Sequence, residues 1–391
     1  MLSFRLLPLN SFAARASLIL AVTLALLALD RTCRVSAPPL AAALWPAGAR
    51  EWPQGRWQAE DRGHIPMPIG TPAAHASSLL PMPPSHASSL VAFWFAGTRE
   101  SAADVQIAAS ALDRHTQQWR PARFVVNADA VGRQLGFGVR RLGNPVAWLD
   151  ARGKIHLFVV ATGLGGWAAG RILHLQQSGE GNGFDQLRFE PVRVLPLSWI
   201  WNISFLVRTA PLPLADGGMV LPVYFELGVK YPVALRFDGE GGFSGMVRIS
   251  RRPYLLQPTL LMLGETRWLA LMRDHAPTGR VAAARTDNAG TDWTDLPDLS
   301  LTNPDASIAG MGLHPGHMVL AHNSSVGSRS VLDLSSSTDG LHWRLEHTLE
   351  HGGAGDEFSY PSMAWVDGKL WISYTDGRRR IAWQRFAYTP D

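Results

Sequence analysis

A polar phrase closed by tryptophan occurs twice in this chain, fifty positions apart: Thr286-Asp-Asn-Ala-Gly290-Thr-Asp-Trp293 and Ser336-Ser-Thr-Asp-Gly340-Leu-His-Trp343. In both, a hydroxyl residue opens the phrase, a tight polar turn ends in Gly, and Trp follows three residues later. A period near fifty residues marks one supersecondary unit used repeatedly, and four short strands per unit at that length build a β-propeller.

The rest of the chain agrees with this. From about Arg56 onward, short apolar or alternating runs such as Leu90 to Phe95, Ile155 to Val160, Met219 to Phe225 and Leu370 to Tyr374 predict strands. Turn residues separate them, as in Asp216-Gly-Gly218, Asp339-Gly340 and Asp367-Gly368. No long stretch of this body has a helical period. Dividing at the Trp phrases and at the Pro-containing strand starts Asn144-Pro145, Gln257-Pro258 and Tyr360-Pro361 yields about six units. The last unit, Glu357 to Phe386, holds only three strands, so closing the ring requires a fourth from elsewhere, and Trp57 to Asp61 is the candidate. The expected fold is all-β, a six-bladed β-propeller.

The N-terminus carries Arg5 and Arg15, a charge-free run from Ala16 to Leu29, then Asp30 and Arg31. Such a run is short for a membrane span and ordinary for an export signal. Residues 1–36 therefore read as a signal peptide or N-terminal anchor, 37–54 as an Ala/Pro-rich linker with Ala41-Ala42-Ala43 as a cleavage site, and 55–391 as the propeller. Cleaved or retained, this segment places the body outside the cytoplasm, periplasmic or secreted. The only cysteine, Cys33, excludes an intrachain disulfide and a cysteine-rich zinc site, and no cofactor or metal is expected. A net charge of +4 and a pI near 9.5 favour anionic ligands. No nucleic-acid motif is present, and Arg378-Arg379-Arg380, following a Gly turn, reads as a solvated hairpin tip. A membrane is expected to contact the protein only through its N-terminal segment, and the sequence carries no signal of oligomeric state.

Three arginines stand at strand ends: Arg99 after Phe93-Trp-Phe-Ala-Gly-Thr, Arg273 after Trp268-Leu-Ala-Leu-Met, and Arg329 before the strand that leads to the second Trp phrase. The same strand end of every propeller blade faces one central mouth, where such arginines would hold a carboxylate through bidentate hydrogen bonds. Asn144 and Glu226 read as a strand cap and a strand-end carboxylate, Trp199 and Trp201 as core or sugar-stacking rings, and Asp305 and Asp356 as loop residues.

With its order of Gly-x-Arg-Glu, Leu-Gly-Asn-Pro, Leu-Gln-Pro-Thr, Leu-Met-Arg and Ser-Tyr-Pro-Ser, the chain resembles the sialidase superfamily, specifically bacterial neuraminidases with BNR repeats. The twin phrases resemble Asp-boxes, Ser-x-Asp-x-Gly-x-Thr-Trp, with Asn288 and Thr338 at the Asp position and Asp292 and His342 at the Thr position. The resemblance, which runs from about His75 to Phe386, implies Arg99, Arg273 and Arg329 as the arginines that bind the sugar carboxylate, Asp104 as the acid/base and Tyr360 as the nucleophile. Two positions depart from the family pattern: His75 stands in place of an arginine, and Gln257 in place of the Glu that activates the tyrosine.

An unassisted phenol titrates near pH 10, so a tyrosine nucleophile needs a base or a positive field, and Gln257 can orient Tyr360 but cannot take its proton. His75 is a potential acid or base. The implied activity is release of a terminal acidic sugar from a glycan. The alternatives are a uronate- or rhamnose-directed hydrolase or lyase using His75 and Tyr360, and a non-catalytic glycan-binding propeller.

Overall fold

The computed structural model describes residues 12–32, 41–49, 55–179, 183–276 and 278–390. Arg5, Cys33 and positions 37–40 and 50–54 of the expected linker lie outside the described residues. Six antiparallel sheets follow one another along the chain as six blades. In chain order the innermost strands of blades 1 to 6 are Ala73–Pro81, Arg141–Leu149, Phe205–Val207, Leu255–Met262, Ala309–His314 and Phe358–Val366. Strand Gly55–His64 joins the last blade by pairing with Arg380–Pro390, Trp57 opposite Tyr388. This is the closure expected for Trp57 to Asp61, and it removes the open sheet edge. Among the described residues two α-helices accompany the sheets: α1, Phe12–Thr32, which is largely exposed, and the short α2, Ala128–Leu135, capped by Asn127.

The second strands show why the chain packs this way. Ser88–Gly97 is buried at every position, because each blade is covered on both faces by its neighbours. Trp94 and Trp268 are fully buried. Residues 41–49, expected to be linker, dock on the body: Ala43 is buried, bridges Leu214 and donates its N–H to Glu265 O at 2.8 Å.

Four of the six innermost strands share one irregularity. The pairing register shifts between His75 and Ser78, Gly143 and Val146, Leu256 and Thr259, and Ser359 and Ser362. At each shift two residues oppose one, and the first is left-handed: Ala76 (φ 58°), Asn144 (φ 43°), Gln257 (φ 48°) and Tyr360 (φ 54°). These are β-bulges, and the Pro that follows in three of them suits a position with no ladder bond to donate. The Pro-containing strand starts of the sequence are therefore bulges at the mouth. A left-handed non-glycine residue costs about 1–2 kcal/mol. Its recurrence in blades 1, 2, 4 and 6, at the same end of the inner strand, marks the bulge as the device that turns inner-strand side chains toward the mouth.

Both Trp phrases connect the third and fourth strands of their blades, at the end remote from that mouth. In the first, Thr286 Oγ1 accepts from Gly290 N at 3.0 Å and Asn288 Oδ1 from Asp292 N at 3.2 Å. In the second, the corresponding groups are Ser337 Oγ, accepting from Gly340 N at 2.8 Å, and Asp339 Oδ1, accepting from Leu341 N and His342 N at 2.8 Å each. The second phrase thus opens at Ser337, one residue later than expected, and Asp339 rather than Thr338 fills the acid position.

Candidate functional site

Tyr360 stands at the centre of the mouth, projected by its bulge in blade 6. The His75 ring packs against it at 4.2 Å between centroids. Gln257 Nε2 donates to Tyr360 Oη and to Tyr224 Oη, each at 3.4 Å, while Gln257 Oε1 accepts from Arg273 Nη1 at 3.2 Å. Both halves of the buried amide are therefore occupied, and its orientation follows from these partners. Among the described residues no carboxylate is hydrogen-bonded to the Tyr360 hydroxyl. Burial, with the Glu226 charge, pushes the Tyr224 phenol well above its usual range, so this second tyrosine stays neutral.

A chain of alternating charges runs from Gln257 round the mouth. Arg273 Nε donates to Asp305 Oδ1 at 2.5 Å, and His275 Nδ1 lies 3.0 Å from Asp305 Oδ2. Arg329 Nη2 donates to the Asp305 backbone oxygen at 2.8 Å and Arg329 Nη1 to Glu357 Oε1 at 3.1 Å. Arg378 grips Glu357 through Nε at 2.7 Å and Nη2 at 3.0 Å, and reaches Glu100 with Nη1. Burial alone would raise the Glu357 carboxyl, but hydrogen bonds from Arg378 and Ser359, with the Arg329 charge, hold it at about 2. Burial acts likewise against Asp305, and Arg273 with His275 holds it below the usual carboxylate range.

Arg208 completes the cluster from beneath. It is 2% exposed, donates to Ser77 O at 3.3 Å and Pro361 O at 2.9 Å, and sets its guanidinium carbon 5.0 Å from the Tyr360 ring centre. Both acceptors are the second residues of bulges. Burial lowers its pKa to about 10, which leaves it charged at neutral pH. His75 is also 2% exposed, and burial first, then the Arg378 charge, drives it well below the usual imidazole range. It is neutral at pH 7, and its Nδ1 is buried without a partner.

Of the residues singled out in the sequence, His75, Gln257, Arg273, Arg329 and Tyr360 are brought together. Arg99 is exposed and lines a crevice with His75, Glu100 and Arg378 at the edge of the group. Asp104 lies on the same blade 1 connection, exposed, accepting from Thr98 N at 2.9 Å and Thr98 Oγ1 at 3.0 Å. Asn144 is buried at its bulge rather than capping a strand. Arg378 departs from the solvated tip expected of it, and Asp305 from the plain loop residue. Trp199 and Trp201, expected chiefly in the core, are exposed on a connection. Arg208, Glu357 and Trp167 carried no local signal. Trp167 covers Gly143 and packs 6.4 Å from Phe95, which itself touches His75, so a ring face borders the mouth.

Five arginines (99, 208, 273, 329 and 378) face four carboxylates (Glu100, Glu226, Asp305 and Glu357), so the mouth keeps a small positive excess suited to an anion. Among the described residues no group of three or more His, Cys, Asp or Glu is placed to hold a metal.

The model of the BNR repeat-like domain matches residues 88–372. A Hadza microbial sialidase shares 16% identity at a TM-score of 0.63, over 80% of this chain and 65% of that one. For Trypanosoma rangeli sialidase in complex with sialic acid the values are 11%, 0.63, 86% and 60%. A Dyadobacter fermentans protein of unknown function gives 12% and 0.63, over 85% of this chain and 99% of its own. The chain thus spans less than two thirds of the length of these two sialidases, and at these identities the likeness concerns the fold. No curated protein matches by sequence.

Proposed function

Because the chain belongs to the BNR repeat-like domain family, and its fold is the six-bladed sialidase type, we propose that it is an exported exo-acting glycosidase that releases a terminal acidic sugar from glycans. The observation that carries this reading is the convergence of Arg273, Arg329 and Tyr360 in one positively charged mouth. A sugar carboxylate there gains bidentate donors from Arg273 and Arg329, with Arg99 free to approach from the edge. Tyr360 Oη forms a bond to the anomeric carbon as its proton passes to water in the mouth, and the glycosidic C–O bond breaks as its oxygen takes the Asp104 proton. Water then attacks the anomeric carbon, giving a proton to the Asp104 carboxylate as the bond to Tyr360 Oη breaks; the released phenolate regains its proton from water in the mouth, and two displacements retain the anomeric configuration. Gln257 positions the phenol, and Arg208 supplies fixed positive charge beneath it. The test is turnover of an aryl sialoside, with Tyr360→Phe expected to abolish it; a wild-type chain inactive on every sialoside tried sinks the assignment.

A second reading is favoured by Gln257, whose amide donates to Tyr360 where a base would accept. In it the propeller binds carboxylated glycans without cleaving them. Calorimetric binding of a sialoside that stays intact on prolonged incubation would select it.

A further inference from the structure

Four consecutive connections on the mouth side, from blade 2 to blade 4, carry a run of exposed apolar side chains. Leu164 is 78% exposed and Trp199 72%, and Ile200, Trp201, Val229 and Tyr254 are exposed beside them. Backbone bonds fasten these connections into one rim: Ser204 N to Gly170 O at 2.7 Å, Glu226 N to Ser204 O at 2.9 Å, and Tyr254 N to Val229 O at 3.0 Å. Lys230 and the exposed Arg251 flank it.

A second observation says what covers this rim. Asp30, at the end of α1, is buried; its Oδ1 accepts from Trp199 N at 2.7 Å and its Oδ2 from Ser198 Oγ at 3.1 Å. The rest of α1 is largely exposed, and its 19 residues from Phe12 to Asp30 are long and apolar enough to cross a membrane. At 1.5 Å per residue that length approaches the ~30 Å hydrocarbon core. A helix embedded over this span holds Asp30, and with it the Trp199 rim, at the lipid–water boundary. Tryptophan and tyrosine concentrate at that boundary, and basic flanks favour anionic headgroups.

We propose that α1 remains in the bilayer and seats the Leu164-to-Tyr254 rim on the membrane surface, so that the arginine mouth opens toward the headgroups. The mouth then takes acidic sugars borne on membrane glycolipids in preference to soluble ones; this part rests on the glycosidase reading above, whereas the seating does not.

The full chain reconstituted in phosphatidylcholine–phosphatidylglycerol vesicles, with and without brominated acyl chains, tests the seating. α1 contains no Trp, and the exposed tryptophans of the rim, Trp199 and Trp201, are two of the chain's 15; Trp167 on the Leu164 connection is half-buried against Phe95. Brominated lipid should quench on the order of a tenth of the tryptophan emission, as expected for interfacial rings. W199F/W201F should remove that quenching. Equal emission in both lipids, or quenching that survives W199F/W201F, overturns the proposal, as does a dimer in which a second copy shields these rings from the brominated chains. Turnover of a vesicle-borne sialoglycolipid should fall several-fold in W199F/W201F while a soluble aryl sialoside is cleaved as before. A loss equal on both substrates overturns the membrane preference. A chain inactive on all sialosides but quenched by brominated lipid overturns that preference and the glycosidase reading, and leaves the seating standing.

Discussion

Arg208 holds its guanidinium carbon 5.0 Å from the centre of the Tyr360 ring, with two backbone carbonyls for hydrogen-bond partners and no carboxylate among the described residues. A buried charge without a counter-ion weakens a fold unless something else offsets it. The return is functional rather than structural: at roughly 5–8 Å, the range from the ring to a charge just beyond its hydroxyl, and an effective dielectric of about 20, the cation stabilises a unit negative charge by about 2–3 kcal/mol. Arg208→Met should therefore lower turnover or anionic-ligand affinity by about a hundredfold. The melting temperature should move little, because removal of an unpaired charge balances two carbonyls left without donors. Parallel calorimetry and kinetics test this; a large loss of stability with unchanged ligand affinity would make Arg208 purely structural.

The fold was legible because propellers repeat. The turn-Trp phrases, the alternating strands and the short last unit each carried local information, and closure by Trp57 followed from the need to remove a sheet edge. The bulges were half legible: Gln257-Pro258 and Tyr360-Pro361 stood out as strand starts, but their left-handed backbone emerges only from the pairing register. Arg208 was not legible, since it follows a three-residue strand, Phe205–Val207, and meets Tyr360 only through ring closure. Arg378 was hidden in its own run of arginines, where local composition cannot tell the side chain that turns inward to Glu357 from its solvated neighbours.

The second Trp phrase separates two adjacent residues cleanly. Asp339 accepts from two backbone N–H groups and from His342 Nδ1 at 2.6 Å, whereas Thr338 has no bond in the turn. Asp339→Ala should cost about 1–2 kcal/mol, as loss of a side-chain cap does, and Thr338→Ala about nothing. Urea unfolding of both variants measures the difference, and neither should alter activity, because the turn lies at the far end of its blade.

Acid should weaken the fold in two stages. Burial chiefly lowers the pKa values of His75, His156, His174 and His322, so the unfolded chain binds protons near pH 6.5 that the folded chain refuses; stability declines as pH falls below that value. Glu357 acts lower: its folded value of about 2 lies under the ordinary 4.5, so its contribution is complete above pH 4.5 and lost as pH falls through 2. Allowing for solvent screening, that contribution is about 2 kcal/mol. Unfolding free energies from pH 7 to 2.5 should show both declines, and Glu357→Gln should flatten only the lower one.

Gln257 offers the sharpest test of the chemistry. Its amide already sits between Arg273 and the two tyrosines, so Gln257→Glu puts an isosteric carboxylate in the same place, with one oxygen facing Arg273 Nη1 and the other facing Tyr360 Oη. The Tyr224 hydroxyl, a neutral phenol, can donate where it previously accepted. The ion pair with Arg273 keeps the new group ionised, and it can now receive the Tyr360 proton in the transition state. General-base assistance is worth about 10²–10⁴-fold, so turnover should rise by at least about a hundredfold while KM stays within a factor of a few. A new acidic limb should enter the pH–rate profile as the carboxylate protonates. Unchanged turnover in a folded Gln257→Glu variant that still binds a sialoside would mean that proton removal from Tyr360 does not limit this chain, and would favour the binding function over cleavage.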